Sequence, residues 1–249
     1  MIFSDLHTHT IFCDGLSTPE EMVLSAIEKG LKKIGLCMHA PILNTEYAEF
    51  STDKQKQFIC EVNRLKKKYL GKIEILCGLE NDYFSPPIEN KFDYIIGSLH
   101  VFVVGDKILD IDRSPLHFEQ AVNCCFNGDY YLASEWYYER LSNIIEKTNA
   151  DIIGHFDLIT KFNLNNRFFD QKHPRYINAY KKAVDKLVKY NKPFEVNTGA
   201  IARGYLDLPY PDKDIVEYIK SKGGSLILSS DAHNKNDIAF QYEKWVSLI

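Results

Sequence analysis

The sequence predicts an α/β fold in which about seven parallel strands, each followed by a helix, close into a barrel. Short apolar runs alternate with amphipathic segments along the chain, which is typical of a parallel sheet. The runs are almost continuously apolar, as expected for strands buried on both faces. Most runs also end in histidine or a carboxylate, and a barrel gathers its strand ends at one face. An open doubly wound sheet is the alternative, but it gives no reason for all the strand ends to meet.

The strands are predicted from their apolar runs. In chain order they cover residues 2–10, 33–39, 73–80, 94–100, 151–155, 193–197 and 225–233. The first of them places His7 and His9 at i and i+2, and therefore on one face of the strand. Both imidazoles can thus reach one metal ion, which needs further ligands from elsewhere in the fold.

The predicted helices lie between these strands. Ser17, Thr18 and Pro19, followed by two glutamates, are typical of a helix start. Helices are expected at about 17–30, 53–69, 130–148, 174–190, 212–222 and 237–249. Residues 101–129 form an insert without clear periodicity, which is usually functional or contains small elements of its own. Because no linker-like stretch interrupts the chain, we expect one domain over residues 1–249.

The composition excludes several classes of protein. Of the 249 residues, 45% are hydrophobic and 26% charged, and the net charge is −4, which disfavours nucleic acid or an anionic membrane as the main partner. No apolar run approaches the roughly 20 residues of a membrane span. The first residues also lack the features of a signal peptide, so a cytoplasmic protein is expected. The six cysteines show no CxxC spacing and are too sparse for a disulfide framework.

Histidines concentrate at the predicted strand ends. Any one of them is most simply explained as a hydrogen-bonded polar residue, but six together with Glu80 and Asp231 indicate a metal centre. The six are His7, His9, His39, His100, His155 and His233. So many donors exceed the needs of one tetrahedral ion and suit two or three ions with a bridging carboxylate. Imidazole and carboxylate ligands are compatible with zinc, manganese or iron.

The ordered set of motifs resembles the polymerase and histidinol phosphatase (PHP) family. The resemblance spans residues 2–234 and rests on Asp5-Leu6-His7-Thr8-His9-Thr10 with Asp14-Gly15, His39, Glu80, Gly97-Ser98-Leu99-His100, Gly154-His155 and Ser230-Asp231-Ala232-His233. Chain length, the insert after His100 and the stretch from Gly154 to Ile159 look most similar to the histidinol-phosphate phosphatase branch. That branch implies hydrolysis of L-histidinol phosphate in histidine biosynthesis.

The resemblance also implies a distorted (β/α)7 barrel with a trinuclear metal site. The implied ligands are His7, His9, Glu80 and Asp231 for one ion; Glu80 as a bridge, with His100 and His155, for the second; and Asp14, His39 and His233 for the third. Some family members have histidine where this chain has Asp14, but carboxylate is also a competent ligand. A pair of such ions can activate water and neutralise phosphoryl oxygens.

Other residues are candidates for contacts with the substrate. Arg203 and Lys161 are expected to bind the phosphate, and Asp231 or His233 to protonate the leaving alkoxide. Further substrate contacts are expected from Ser98 and Asn197 as hydrogen-bond donors and from Asp82 as partner of the substrate amine. The alternatives are another PHP phosphoesterase, acting on phosphotyrosine, a nucleotide or a DNA end, and a non-catalytic metal-binding sensor.

Overall fold

A parallel barrel of seven strands forms the centre of the computed structural model, which describes residues 4–249 apart from the side chain of Glu46. The barrel strands are β1 (Ser4–Asp5), β2 (Lys33–His39), β3 (Glu74–Asp82), β4 (Tyr94–Ser98), β7 (Ile152–Ile153), β8 (Phe194–Asn197) and β9 (Leu226–Ser229), paired in that order. A parallel bridge between Thr8 and Ala232 joins the first strand to the last. The predicted barrel is therefore confirmed.

Helices surround the barrel. They are α1 (Pro19–Glu28), α2 (Thr52–Lys68), α3 (Pro115–Phe126), α4 (Tyr130–Leu141), α5 (Ile144–Thr148), α6 (Pro174–Leu187), α7 (Gly199–Ala202), α8 (Lys213–Ser221) and α9 (Tyr242–Trp245). The predicted start of α1 is confirmed, because Thr18 and Glu21 form a reciprocal capping box. No helix within residues 4–249 combines the length and apolar character that a membrane span requires.

Three elements differ from the prediction. The helix expected at 130–148 is divided into α4 and α5, where the Asn143 amide donates to the carbonyl of Glu139 at 2.8 Å and competes with the helical pattern. The tail is a series of short helices, since Ala239 and Gln241 have positive φ. Regular pairing of the first strand covers only Ser4–Asp5, and residues 2–3 lie outside the described part of the chain.

The insert at residues 101–129 contributes a hairpin and a helix beside the barrel. Strands β5 (Val101–Val104) and β6 (Lys107–Asp110) form an antiparallel hairpin, and α3 follows it. The backbone N–H of Ile111 donates to the carbonyl of His100 at 3.0 Å, which joins the end of the hairpin to the end of β4. The residues after β6 are thereby held beside the strand ends.

One tyrosine fills the interior of the barrel below the strand ends. The Tyr94 hydroxyl donates to the carbonyl of Leu6 and lies 3.0 Å from the Cys37 sulfur. A Cβ atom on Gly35 would lie 2.0 Å from this hydroxyl, and one on Gly78 would lie 2.4 Å from the ring. Glycine at both positions makes room for the ring, which closes the floor beneath the polar strand ends.

Candidate metal centre

The structure brings all nine predicted metal ligands together at the C-terminal ends of the barrel strands. They are His7, His9, Asp14, His39, Glu80, His100, His155, Asp231 and His233. His39 and Glu80 belong to the ends of β2 and β3, and His100 and His155 each stand two positions after the last residue of β4 and β7. The carboxyl ends of parallel strands meet at one face of a barrel, which explains why ligands so far apart in sequence converge.

Glu80 lies at the centre of this cluster and is almost completely buried. Its Oε2 atom is 3.1 Å from Nε2 of His7 and 3.2 Å from Nε2 of His9. Its Oε1 atom is 2.8 Å from Nε2 of His155 and 3.2 Å from Nε2 of His100. Oε2 also lies 3.1 Å from Nδ1 of His39. Each oxygen of this carboxylate therefore faces different histidines, which is the geometry of a bridging ligand.

A second carboxylate gathers the outer histidines. Asp14 lies with one oxygen 3.4 Å from Nε2 of His39 and the other 3.2 Å from Nε2 of His233. Donor atoms of these three residues and of His9 all lie within 4.8 Å of one another. Some relatives have histidine at the position of Asp14. In this chain the carboxylate of Asp14 joins His9, His39 and His233 in one group of possible metal ligands.

The spacing of the imidazole nitrogens is compatible with shared metal ions. The Nε2 atoms of His7 and His9 are 3.0 Å apart, and those of His100 and His155 are 3.3 Å apart. A hydrogen bond between two neutral rings fits these distances, with one ring donating and the other accepting. Two lone pairs directed at one ion fit them as well, because tetrahedral zinc ligands lie about 3.4 Å from one another.

The carboxylates and imidazoles of the cluster shift each other's pKa values. Burial alone would lower the pKa of His7, but Glu195 and Glu80 outweigh burial and raise this pKa well above its usual value. Burial would raise the pKa of Glu80, yet the surrounding imidazoles, His7 foremost, hold it well below its ordinary range. With no ion bound, the buried carboxylates thus favour positive charge at the imidazole nitrogens, which a proton or a metal ion supplies. The described residues contain clusters able to bind metal ions.

Side chains behind the ligands orient the imidazole rings. Nδ1 of His7 lies 2.8 Å from Oε1 of Glu195, and Nδ1 of His9 lies 3.4 Å from the sulfur of Cys13. These contacts leave Nε2 of each ring directed at the centre of the site. The sequence analysis did not predict a role for Glu195. A charged residue inside a buried strand nevertheless indicates a polar partner in the interior. Cys13, which lies near the motif in sequence, contacts a ligand from behind.

Three predicted substrate contacts are placed elsewhere. Asp82 accepts from the backbone of His100 at 2.7 Å and from the backbone of Phe84 at 2.8 Å, so it supports a ligand and does not line the pocket. Ser98 and Asn197 are fully buried and are also absent from the pocket wall. Their contact with the substrate stays a prediction, and the pocket wall gives it no support.

Asp231 and Arg203 form a hydrogen-bonded ion pair at the edge of the site. The guanidinium donates to the Oδ2 atom of Asp231 and to its carbonyl oxygen, both at 2.9 Å. Asp231 has a φ of 50°, in the left-handed region that is costly for most residues. A Cβ atom on Gly199 would lie 2.7 Å from Arg203 and 3.0 Å from Asp231, so glycine allows α7 to approach this pair.

The pocket above the ligands has a volume of about 260 Å³. Arg203 and Lys161, both predicted from the sequence, lie on its wall together with the metal donors. The structure adds Tyr47, Asp112 and Arg113, which come from the loop after β2 and from the insert. The sequence offered little signal for these residues, since their segments have no periodic pattern.

Asp112 has a distinct electrostatic environment. Its carboxylate lies 3.5 Å from Nζ of Lys161, and its side chain is 15% exposed. Burial would raise the pKa of Asp112, but Lys161 and the nearby imidazoles lower it below its ordinary value. Asp112 is therefore an anion at neutral pH beside Lys161 on the pocket wall.

Comparisons with known proteins agree with this geometry. The PHP domain family profile matches residues 5–199. The histidinol-phosphatase of Bacillus subtilis (strain 168) is 25% identical over 268 residues, covering 97% of this chain and 97% of that protein.

Two solved structures share the fold. The crystal structure of the Listeria monocytogenes protein designated hisK superposes with a TM-score of 0.85 at 23% identity, covering 97% of this chain and 99% of that chain. The histidinol phosphate phosphatase of Lactococcus lactis subsp. lactis Il1403, solved with zinc, L-histidinol and phosphate, gives a TM-score of 0.72 at 20% identity, with coverage of 99% and 92%.

Proposed function

Because the chain belongs to the PHP domain family, we propose that it is a metal-dependent phosphomonoesterase that hydrolyses L-histidinol phosphate to L-histidinol and phosphate. The observation that carries the proposal is the position of Arg203 and Lys161 on the same pocket wall as the metal donors. A phosphate monoester dianion needs cationic contacts of this kind. An enzyme that hydrolyses C–N bonds has no such need.

The three groups of donors support two or three divalent ions. Zinc is supported by the Lactococcus lactis structure, and manganese and iron accept the same ligands. When bound, the ions supply Lewis acidity that neutralises phosphoryl charge and activates water for attack on phosphorus.

The protein's own residues bind the ester and handle the proton. The guanidinium of Arg203 has five N–H donors, and its two hydrogen bonds to Asp231 leave others for a phosphoryl oxygen. Lys161, on the same pocket wall, adds a second positive charge. The leaving alkoxide takes its proton on the side of the pocket where Asp231 and His233 lie.

The substrate follows from the named relatives. The Bacillus subtilis protein is named a histidinol-phosphatase, and the Lactococcus lactis enzyme was solved with L-histidinol and phosphate, which are the two products of the proposed reaction. A small polar pocket of about 260 Å³ suits a metabolite better than a phosphoprotein or a DNA end. Such a metabolite agrees with the cytoplasmic location expected from the sequence.

A panel of phosphate esters tests the proposal. The purified protein, with its metal content measured, is assayed with L-histidinol phosphate, phosphotyrosine, a nucleoside monophosphate and p-nitrophenyl phosphate. We expect kcat/KM above about 10⁴ M⁻¹ s⁻¹ for L-histidinol phosphate alone. An equal or higher kcat/KM for another ester would make the protein a different PHP phosphoesterase. Full metal content without turnover would identify a metal-binding sensor.

A further inference from the structure

Asp112 is the one carboxylate on the described part of the pocket wall that is outside the set of predicted metal ligands. The other wall carboxylates, Asp14, Glu80 and Asp231, all face imidazoles. Asp112 instead follows β6 in the insert and approaches the pocket from above the strand ends. Its position therefore needs an explanation that the metal centre does not supply.

An anion at this point opposes the binding of phosphate. Like charges repel strongly in a partly buried pocket, so Asp112 weakens the attraction that Lys161 and Arg203 exert on a phosphate. Its contact with Lys161 is loose, since 3.5 Å exceeds the usual length of a charge-assisted hydrogen bond. Among the described residues, Lys161 is also its one hydrogen-bond partner. The carboxylate thus retains capacity to accept a further donor.

We propose that Asp112 receives the ammonium group of the substrate and so selects esters that carry an amine beside the phosphate. This inference rests on the proposed function. In L-histidinol phosphate the amine is on the carbon adjacent to the ester carbon, so the cation and the phosphate enter one small pocket together. Phosphate bound by Arg203 and Lys161 places the amine close to the carboxylate that neighbours Lys161. An ammonium donor converts the unfavourable charge of Asp112 into an attraction specific for this substrate class.

Asp82, which the sequence suggested for this role, is less favourably placed than Asp112. Its two carboxylate oxygens accept from His100 and Phe84, and it lies outside the pocket wall. A competing role for Asp112 is to position Lys161 for the phosphate. The two roles differ in one measurable respect, because a residue that only positions Lys161 affects every phosphate ester equally.

The experiment compares L-histidinol phosphate with its deamino analogue, 3-(imidazol-4-yl)propyl phosphate, in the metal-loaded enzyme. Asp112→Asn is expected to lower kcat/KM for the amine substrate roughly 10- to 100-fold, chiefly through KM. For the deamino analogue we expect kcat/KM to stay within about threefold or to rise, since repulsion of the phosphate is removed. Asp106→Asn, at the exposed tip of the β5–β6 hairpin, is the matched control and should change neither value.

Other outcomes overturn the inference. Equal losses with both esters would make Asp112 a positioning residue for Lys161, and unchanged values with both would give it no role in recognition. Asp112→Ser is a second variant if the asparagine variant does not fold, as judged by circular dichroism and metal content. Absence of turnover of L-histidinol phosphate by the wild-type enzyme, with turnover of other esters, would instead refute the proposed function itself.

Discussion

Oε1 of Glu195 lies 2.8 Å from Nδ1 of His7, and both side chains are completely buried. The second carboxylate oxygen accepts from the backbone N–H of His155 at 3.0 Å. One buried glutamate therefore supports ligands from two of the proposed metal sites. A carboxylate behind a ligand histidine fixes the ring orientation and raises the basicity of the coordinating nitrogen.

We expect Glu195→Gln to lower metal affinity by roughly 10- to 100-fold, since the amide retains the shape but loses the charge. Competition with a chromophoric chelator measures this affinity without reference to turnover. Glu74→Gln, on the exposed start of β3, is the matched control. Unchanged affinity in the Glu195 variant would show that its contact with His7 is only structural.

Asp231→Asn tests the source of the leaving-group proton. If Asp231 supplies it, turnover of L-histidinol phosphate falls far more than turnover of p-nitrophenyl phosphate, whose leaving group needs no proton. Both rates are measured at matched metal content. Equal losses with the two esters would assign the residue to metal binding alone and leave His233 as the donor.

Arg203→Lys tests the phosphate contact. Lysine keeps the positive charge but not the forked donors, so the inhibition constant of inorganic phosphate should rise roughly 10- to 100-fold. Arg140→Lys on the outer helix α4 controls for the general effect of the exchange. An inhibition constant equal to that of the wild type would remove Arg203 from the phosphate site.

Gly15→Ala should destabilise the fold through a clash of backbone atoms. A Cβ atom there would lie 2.6 Å from the backbone nitrogen of Thr10 and 2.7 Å from the carbonyl of His9. We expect the free energy of unfolding, measured with urea in the presence of chelator, to fall by about 2–3 kcal/mol. At Gly71 the φ of +80° strains alanine but space is open, so Gly71→Ala should cost only about 1 kcal/mol. Similar costs for the two variants would show that the loop at Gly15 relaxes.

Glu20 gives the stability a defined dependence on pH. Hydrogen bonds from Lys68, Tyr69 and Arg64 lower the pKa of Glu20 to about 2. A carboxylate with a lowered pKa in the folded state stabilises the fold above its unfolded pKa, and this contribution is lost as the pH falls toward 2. Glu20→Gln should therefore reduce the urea midpoint at pH 6 and have little effect near pH 2. A difference from the wild type that is independent of pH would contradict this linkage.

Most of the predicted ligands were recognisable because they follow apolar runs. His39, His100 and His155 come at the ends of strands whose burial is visible in the sequence, and parallel strands place their ends together. Asp82 stands two residues beyond Glu80, so alternation along β3 places both side chains on one face. Its carboxylate nevertheless accepts from the backbone N–H of His100, and no periodic pattern reveals which polar atoms are already engaged.

The sequence by itself determined the barrel, the family and the convergence of the histidines and carboxylates predicted to bind metal, because apolar periodicity and residue type are local properties. Only the tertiary structure decided which side chains support those ligands and which line the pocket. Glu195 lies 188 positions from His7, and Asp112 lies 49 positions from Lys161. Such contacts depend on how loops and strand ends pack in space, and local sequence preferences do not encode that packing.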